Sequence, residues 1–221
     1  MLKEKNNQAL LYMKEQKYEE AAKIYNEIIE THPEDPVGYI NFGNLLIQMN
    51  DASAERFLRK ALELDEQAVA AIYGLGNFYF KQEEFAKAQE SFQQAISLGM
   101  EESDVYYMLA LSLLNQELGR LAIPYLMRAS ELAPTDEDIL FQYGLTLAKC
   151  NFIDESQKVF DQLLQLNPNH SDAHYNQGII AAYYDQLHQA LEHFETAVRI
   201  QPDHVLAANG VENMKKKLNQ S

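Results

Sequence analysis

The chain is 221 residues long, and a hydrophobic content of 47% is ample for a core. With 33 Asp and Glu against 18 Lys and Arg the formal charge is −15, which opposes binding to a phosphate backbone or an anionic membrane. Cys150 is the one cysteine and can form no internal disulfide, the first residues (MLKEKNNQALLYMKEQ) carry no signal-peptide run, and apolar stretches fall short of a membrane span, so a reducing cytoplasm is the expected location.

Residues 2–35 predict two short helices, with Ala9 on the first, Ala21 on the second and Pro33 closing the segment. Lys5 and Gln8 stand where later segments have large apolar residues, so one side can face water, as an N-terminal cap requires. Residues 36–68 repeat the pattern with Gly43 and Ala54, and with Glu66 at the proline position. Residues 69–102 show it most fully: Ile72, Leu75, Gly76 and Tyr79 at helical spacing, a turn with Glu83, Glu84 and Phe85, then Ala88, Phe92 and Ala95, with Met100 in place of proline. Residues 103–136 keep Leu109-Ala110, Ala122, Leu126, Ala129 and Pro134. Pro124 falls within their second helix and should kink it or lie near its first turn. Residues 137–170 keep Tyr143-Gly144, Phe160 and Pro168, and residues 171–204 keep Gly178, Ala190, Phe194, Ala197 and Pro202. A last helix, 205–219, turns Ala208 and Val211 toward the preceding segment. It ends in Lys215, Lys216 and Lys217, which favour the negative end of the helix dipole or, alternatively, contact an acidic partner.

The small residues of the first helices, Ala9, Gly43, Gly76, Ala110, Gly144 and Gly178, are separated by 34, 33, 34, 34 and 34 residues. Those of the second helices, Ala21, Ala54, Ala88, Ala122, Ser156 and Ala190, are separated by 33, 34, 34, 34 and 34. One residue is therefore missing between Gly43 and Ala54, in the turn around Asn50 and Asp51, where a deletion costs least. Glycine inside a helix costs about 1 kcal/mol relative to alanine, so its recurrence at one position predicts close approach of a second helix. A single hairpin of this kind is too thin to bury its own apolar faces and needs neighbours of the same kind.

The period and the residues resemble the tetratricopeptide repeat, whose pattern is a large residue, Leu-Gly, Tyr, then Ala-x-x-x-Phe and a closing Pro. The resemblance implies an all-α fold: a right-handed superhelical α-solenoid of six helix-turn-helix repeats, at 2–35, 36–68, 69–102, 103–136, 137–170 and 171–204, plus a C-terminal capping helix at 205–219. All of 1–221 would form a single domain, similar to small free-standing bacterial proteins of the family. The implied function is a non-catalytic adaptor or scaffold that takes a peptide, helix or partner protein in the concave groove lined by first helices, with no cofactor and no metal.

Helix geometry sets the candidate site. Positions 2, 5, 9 and 12 of each first helix form a face rotated by roughly 100° from the one that packs on the second helix. Position 5 reads Ile40, Tyr73, Tyr107, Phe141 and Tyr175, and position 9 adds Leu111, Leu145 and Ile179. The alternative for each aromatic is packing against the first helix of the next repeat. Asn41, Asn44, Asn77 and Asn176 resemble the asparagine ladder of some grooves in this family, where amides pair with an extended peptide backbone. Met108, Leu111, Gln142 and Leu145 interrupt it, and the alternative is solvated polar residues. Lys81 lies late on a first helix beside this face, as do Lys14 and Lys149. The basic residues of a carboxylate clamp are missing, with Val37, Ile40, Ala70 and Tyr73 in their places. Asp104, Asp138 and Asp172 recur at position 2, either complementing the helix dipole or forming an acidic rim for a basic partner.

Two other functions compete with the adaptor. In one, the chain self-associates as a homo-oligomer whose groove takes a terminal helix of another copy. In the other, His170 and His174, with Asp172 between them, serve a metal-dependent regulator or enzyme, although the pair straddles an inter-repeat turn. Gly74-x-Gly76 has Tyr79 at the third glycine position of a dinucleotide fingerprint and no strand before it, and Cys150 lacks an evident activating base.

Overall fold

A computed structural model describes residues 2–220, and the described residues form thirteen α-helices and no strand. In order these are α1 (Leu2–Lys14), α2 (Tyr18–Thr31), α3 (Pro36–Gln48), α4 (Ala54–Leu64), α5 (Val69–Lys81), α6 (Phe85–Ser97) and α7 (Ser103–Asn115). They continue with α8 (Gly119–Leu132), α9 (Glu137–Lys149), α10 (Ile153–Leu166), α11 (Ser171–Tyr183), α12 (Leu187–Ile200) and α13 (Val205–Leu218). The helices gather into two compact units, Met1–Glu117 and Leu118–Ser221.

The turns inside the hairpins share one construction. Gln16, Asn50, Glu83, Glu117, Asn151 and Asp185 each adopt a left-handed backbone, with φ between 58° and 69°. In α5 the Glu84 N–H donates to the Tyr79 carbonyl at 2.9 Å and the Glu83 N–H to the Phe80 carbonyl at 3.0 Å, which satisfies the orphan carbonyls of the helix end. The same closure joins Asp51 to Leu46, Phe152 to Leu147 and Gln186 to Ala181, each at 2.9 Å. The missing residue falls just after this point, because Asn50 to Ala54 is one shorter than Glu83 to Ala88. As a result α4 begins at Ala54 itself, and Asp51 fills the gap by accepting from the Ser53 N–H at 2.8 Å.

Close packing explains the small residues. In the first unit, a Cβ on Gly76 would come within 2.5 Å of the Phe92 ring, and one on Gly43 within 2.7 Å of Leu58. Ala9, Ala21, Ala54, Ala88 and Ala110 are fully buried beside them. Tyr79, also buried, ties α5 to α4: its hydroxyl donates to Glu55 Oε1 at 2.6 Å and accepts from Arg59 Nη2 at 2.8 Å. Burial, followed by the bond to Glu55, pushes this phenol up to about 12. In the second unit, a Cβ on Gly144 would lie 2.9 Å from Phe160, and one on Gly178 2.6 Å from Phe194. Ser156 takes the alanine position of α10 and satisfies its hydroxyl by donating to the Gly144 carbonyl at 2.8 Å. Pro124 lies within α8, past its first turn and exposed to solvent, so the helix forgoes one backbone N–H there.

The terminal elements are asymmetric. Lys5 on α1 reaches Glu27 on α2 at 2.5 Å. Helix α13 buries Ala207 and Met214 and brings Gly210 against Phe194, while Lys215 pairs with Glu195 at 2.7 Å.

Candidate partner-binding surface

In the first unit the first helices α3, α5 and α7 lie side by side. Ile40 is buried, packed with Tyr39, Ala61, Ala68 and Ala71, and so belongs to the core. Tyr73 is half-buried: its ring packs on Phe92 with centroids 5.7 Å apart and the planes tilted by 53°, and its hydroxyl is hydrogen-bonded to the Asn77 side chain one turn on. Burial pushes this phenol up, the bond to Asn77 opposes that, and the charges of Asp104 and Glu102 add to the rise. Tyr73 and Asn77 of α5 thus share a neighbourhood with the acidic start of α7. Tyr107 and Leu111 are half-buried on α7.

The remaining candidates of this unit are engaged with the fold. Asn41 Nδ2 donates to Asn6 Oδ1 at 3.2 Å. The Asn44 amide oxygen lies 2.9 Å from where a Cβ on Gly74 would stand, so Gly74 makes room for it. Lys81 Nζ donates to the Ile47 carbonyl at 2.6 Å, neutralising the negative end of α3.

In the second unit the aromatic arrangement recurs. Phe141 packs on Phe160 with centroids 6.0 Å apart, and Tyr175 on Phe194 at 5.8 Å. Tyr73, Phe141 and Tyr175 therefore each rest on the phenylalanine of the second helix in the same hairpin, nineteen residues on. Phe141 and Tyr175 also each meet a histidine at 5.1 Å, His170 and His204 respectively. Both histidines are N-caps, with Nδ1 accepting at 3.2 Å from the Ala173 N–H and the Ala207 N–H. Asn176 turns onto its own helix and donates to the Asp172 carbonyl at 2.8 Å. One and two turns beyond Tyr175 on α11, Ile179 and Tyr183 are 46% and 63% exposed, an apolar strip continuous with the aromatic face.

His170 and His174 serve different partners. His174 Nε2 donates to the Pro168 carbonyl at 3.0 Å, which leaves Nδ1 to accept from His193 Nδ1 at 3.2 Å. Burial, and then His174, hold the His193 imidazole below its ordinary range. His204 Nε2 lies 3.3 Å from Asp172 Oδ1, outside good hydrogen-bond alignment. Among the described residues no group of three or more His, Cys, Asp and Glu is placed to hold a metal, and no helix is long and apolar enough to cross a membrane. The first-turn acids divide the electrostatic work: Asp136 caps α9 through the Ile139 N–H at 3.1 Å, while Asp104, Asp138 and Asp172 stay exposed.

Family models described as tetratricopeptide repeat match residues 7–35, 52–112, 103–136 and 144–205. Among solved structures, YrrB, a TPR protein with an unusual peptide-binding site, is 41% identical, with 86% of this chain and 99% of that chain covered and a TM-score of 0.80. Pseudomonas aeruginosa PilF shares the fold at a TM-score of 0.79 and 16% identity, covering 98% and 97% of the two chains. Subunit 3 of the anaphase-promoting complex of Schizosaccharomyces pombe is 23% identical over 140 residues, which make up 63% of this chain and 21% of that protein.

Proposed function

Because the chain belongs to the tetratricopeptide repeat family, a family of protein–protein interaction scaffolds, we propose that it is a non-catalytic adaptor that binds a peptide or partner helix on its first-helix face. The observation that carries this reading is the half-buried set Tyr73, Asn77, Tyr107 and Leu111 on neighbouring helices α5 and α7. Tyr73 is anchored by Phe92 beneath and by Asn77 beside it, so a ligand meets a ring whose orientation is already set. The adjacent Glu102 and Asp104 favour a ligand with basic residues. YrrB, with its peptide-binding site, supports the same class of ligand. In the second unit Tyr175, Ile179 and Tyr183 offer a matching surface of their own.

Affinity capture with the wild-type chain and with a Tyr73→Ala, Asn77→Ala, Tyr107→Ala variant tests the assignment, with circular dichroism checking that the variant is folded. Capture of a discrete protein by wild type, with at least tenfold weaker binding by the variant, is the expected result. Equal capture by both would move the binding surface elsewhere on the chain.

A further inference from the structure

One second helix carries an outer face unlike the others. At the positions that hold Lys87, Glu90 and Gln93 on α6, Glu155, Lys158 and Asp161 on α10, and Gln189, Glu192 and Glu195 on α12, α8 holds Leu121, Pro124 and Met127. All three are exposed, Leu121 to 57% and Met127 to 45%. An exposed apolar group where equivalent helices are charged or polar gains little from folding and points to a surface covered by another molecule.

The charges around this patch identify its occupant. At about 100° per residue, Arg120, Pro124, Met127 and Glu131 fall within about 60° of one another, bordered by Leu121 and Arg128. Arg120 stands one turn before Pro124 and Glu131 one turn after Met127. Such a face is complementary to itself: on a second α8 laid antiparallel, Arg120 meets Glu131 of the other copy at both ends, and Pro124 meets Met127. Helix α8 also carries Arg120 and Arg128 against the single acid Glu131, whereas the whole chain has a charge of −15 that elsewhere repels another copy. Glu131 pairs with Arg128 Nη1 at 3.0 Å, an exposed contact that exchanges readily for one across the two-fold axis.

We propose that α8 is a homodimer face, on which a second copy of the chain seats its own α8 antiparallel, with Pro124 and Met127 at the centre, Leu121 at the border and Arg120–Glu131 pairs at the ends. A single helix pair covers less than the roughly 1,000 Å² of a stable interface, so the association is weak, with a dissociation constant of about 10–500 µM. Sedimentation equilibrium of the full chain from about 5 µM to about 500 µM tests it. Arg120→Glu alone and Glu131→Arg alone each set like charges against one another and are expected to weaken association about tenfold. The double reversal restores the pairing and should return to within about threefold of wild type. Leu121→Ser with Met127→Ser, exposed changes that leave the melting curve in place, should abolish the dimer. A wild type that stays monomeric throughout overturns the proposal and leaves the face to a different protein. A double reversal that associates no better than the single variants overturns the antiparallel arrangement.

Discussion

His193 sits where a charge is disfavoured. Burial contributes most, the facing His174 ring adds to it, and the weaker pull of Glu192 and Asp161 does not compensate, so the imidazole is held below its ordinary range. The unfolded chain then binds a proton that the folded chain resists. Stability contributed by the neutral ring is complete above about pH 6.5 and is lost as pH falls through the lower folded-state value. A pH series of thermal midpoints should be flat above about pH 7 and decline in mild acid, and His193→Gln should reduce that decline. An unchanged acid slope in the variant would assign the sensitivity to other groups. The same residues show what a linear reading misses. His170 and His174 have a ligand-like spacing, yet His170 spends Nδ1 on capping a helix and its ring on Phe141, while His174 bonds the Pro168 carbonyl and His193. Lys81 looked free to meet a ligand, but its acceptor is a carbonyl 34 residues earlier, set by how two first helices lie together.

At the scale of the hairpin, the contact between the two helices is a phenylalanine ring seated on a glycine. Gly76 receives Phe92 and Gly144 receives Phe160, at distances that leave no room for even one added carbon. Both rings are fully buried, so neither can swing into solvent to make space without losing its transfer energy. Gly76→Leu and Gly144→Leu are each expected to destabilise by roughly 1–3 kcal/mol or more, read as a lowered denaturant midpoint. Unchanged midpoints in both would mean that the hairpins part at little cost, contrary to their packing. This contact was legible from spacing, because a helical glycine that returns at a fixed interval has few reasons other than close approach. The turn deletion was legible for the same cause, since two independent series lose one residue at the same place. The left-handed turn residues were not. Gln16, Asn50, Glu83, Glu117, Asn151 and Asp185 share a backbone state imposed by closing the helix end, and side-chain type carries little of that signal. Ile40 was also misleading, because a position that holds a half-buried tyrosine in α5 and α7 is core in α3, where Ala61, Ala68 and Ala71 leave space for it.

At the scale of the whole molecule, the helices within each unit pack chiefly on those next to them in the chain, as α5 does on α6 and α11 on α12, so stability is a sum of local terms more than a property of one core. The consequence is clearest at α13. Met214 is buried among Ala181, Ala190 and Phe194, with Val211 and Tyr175 packed around them. Met214→Ala removes a long side chain from that cluster, and the lost burial is expected to cost about 2 kcal/mol locally. In an array with nearest-neighbour coupling the loss should appear as faster amide exchange in α11, α12 and α13. Helices α1 to α4, which belong to the other compact unit, should keep their protection. Hydrogen exchange read by mass spectrometry on the full chain separates the two ends. A uniform loss of protection would instead show that the chain unfolds as one cooperative body, with coupling between pairs strong enough to carry a defect at Met214 through every hairpin to α1.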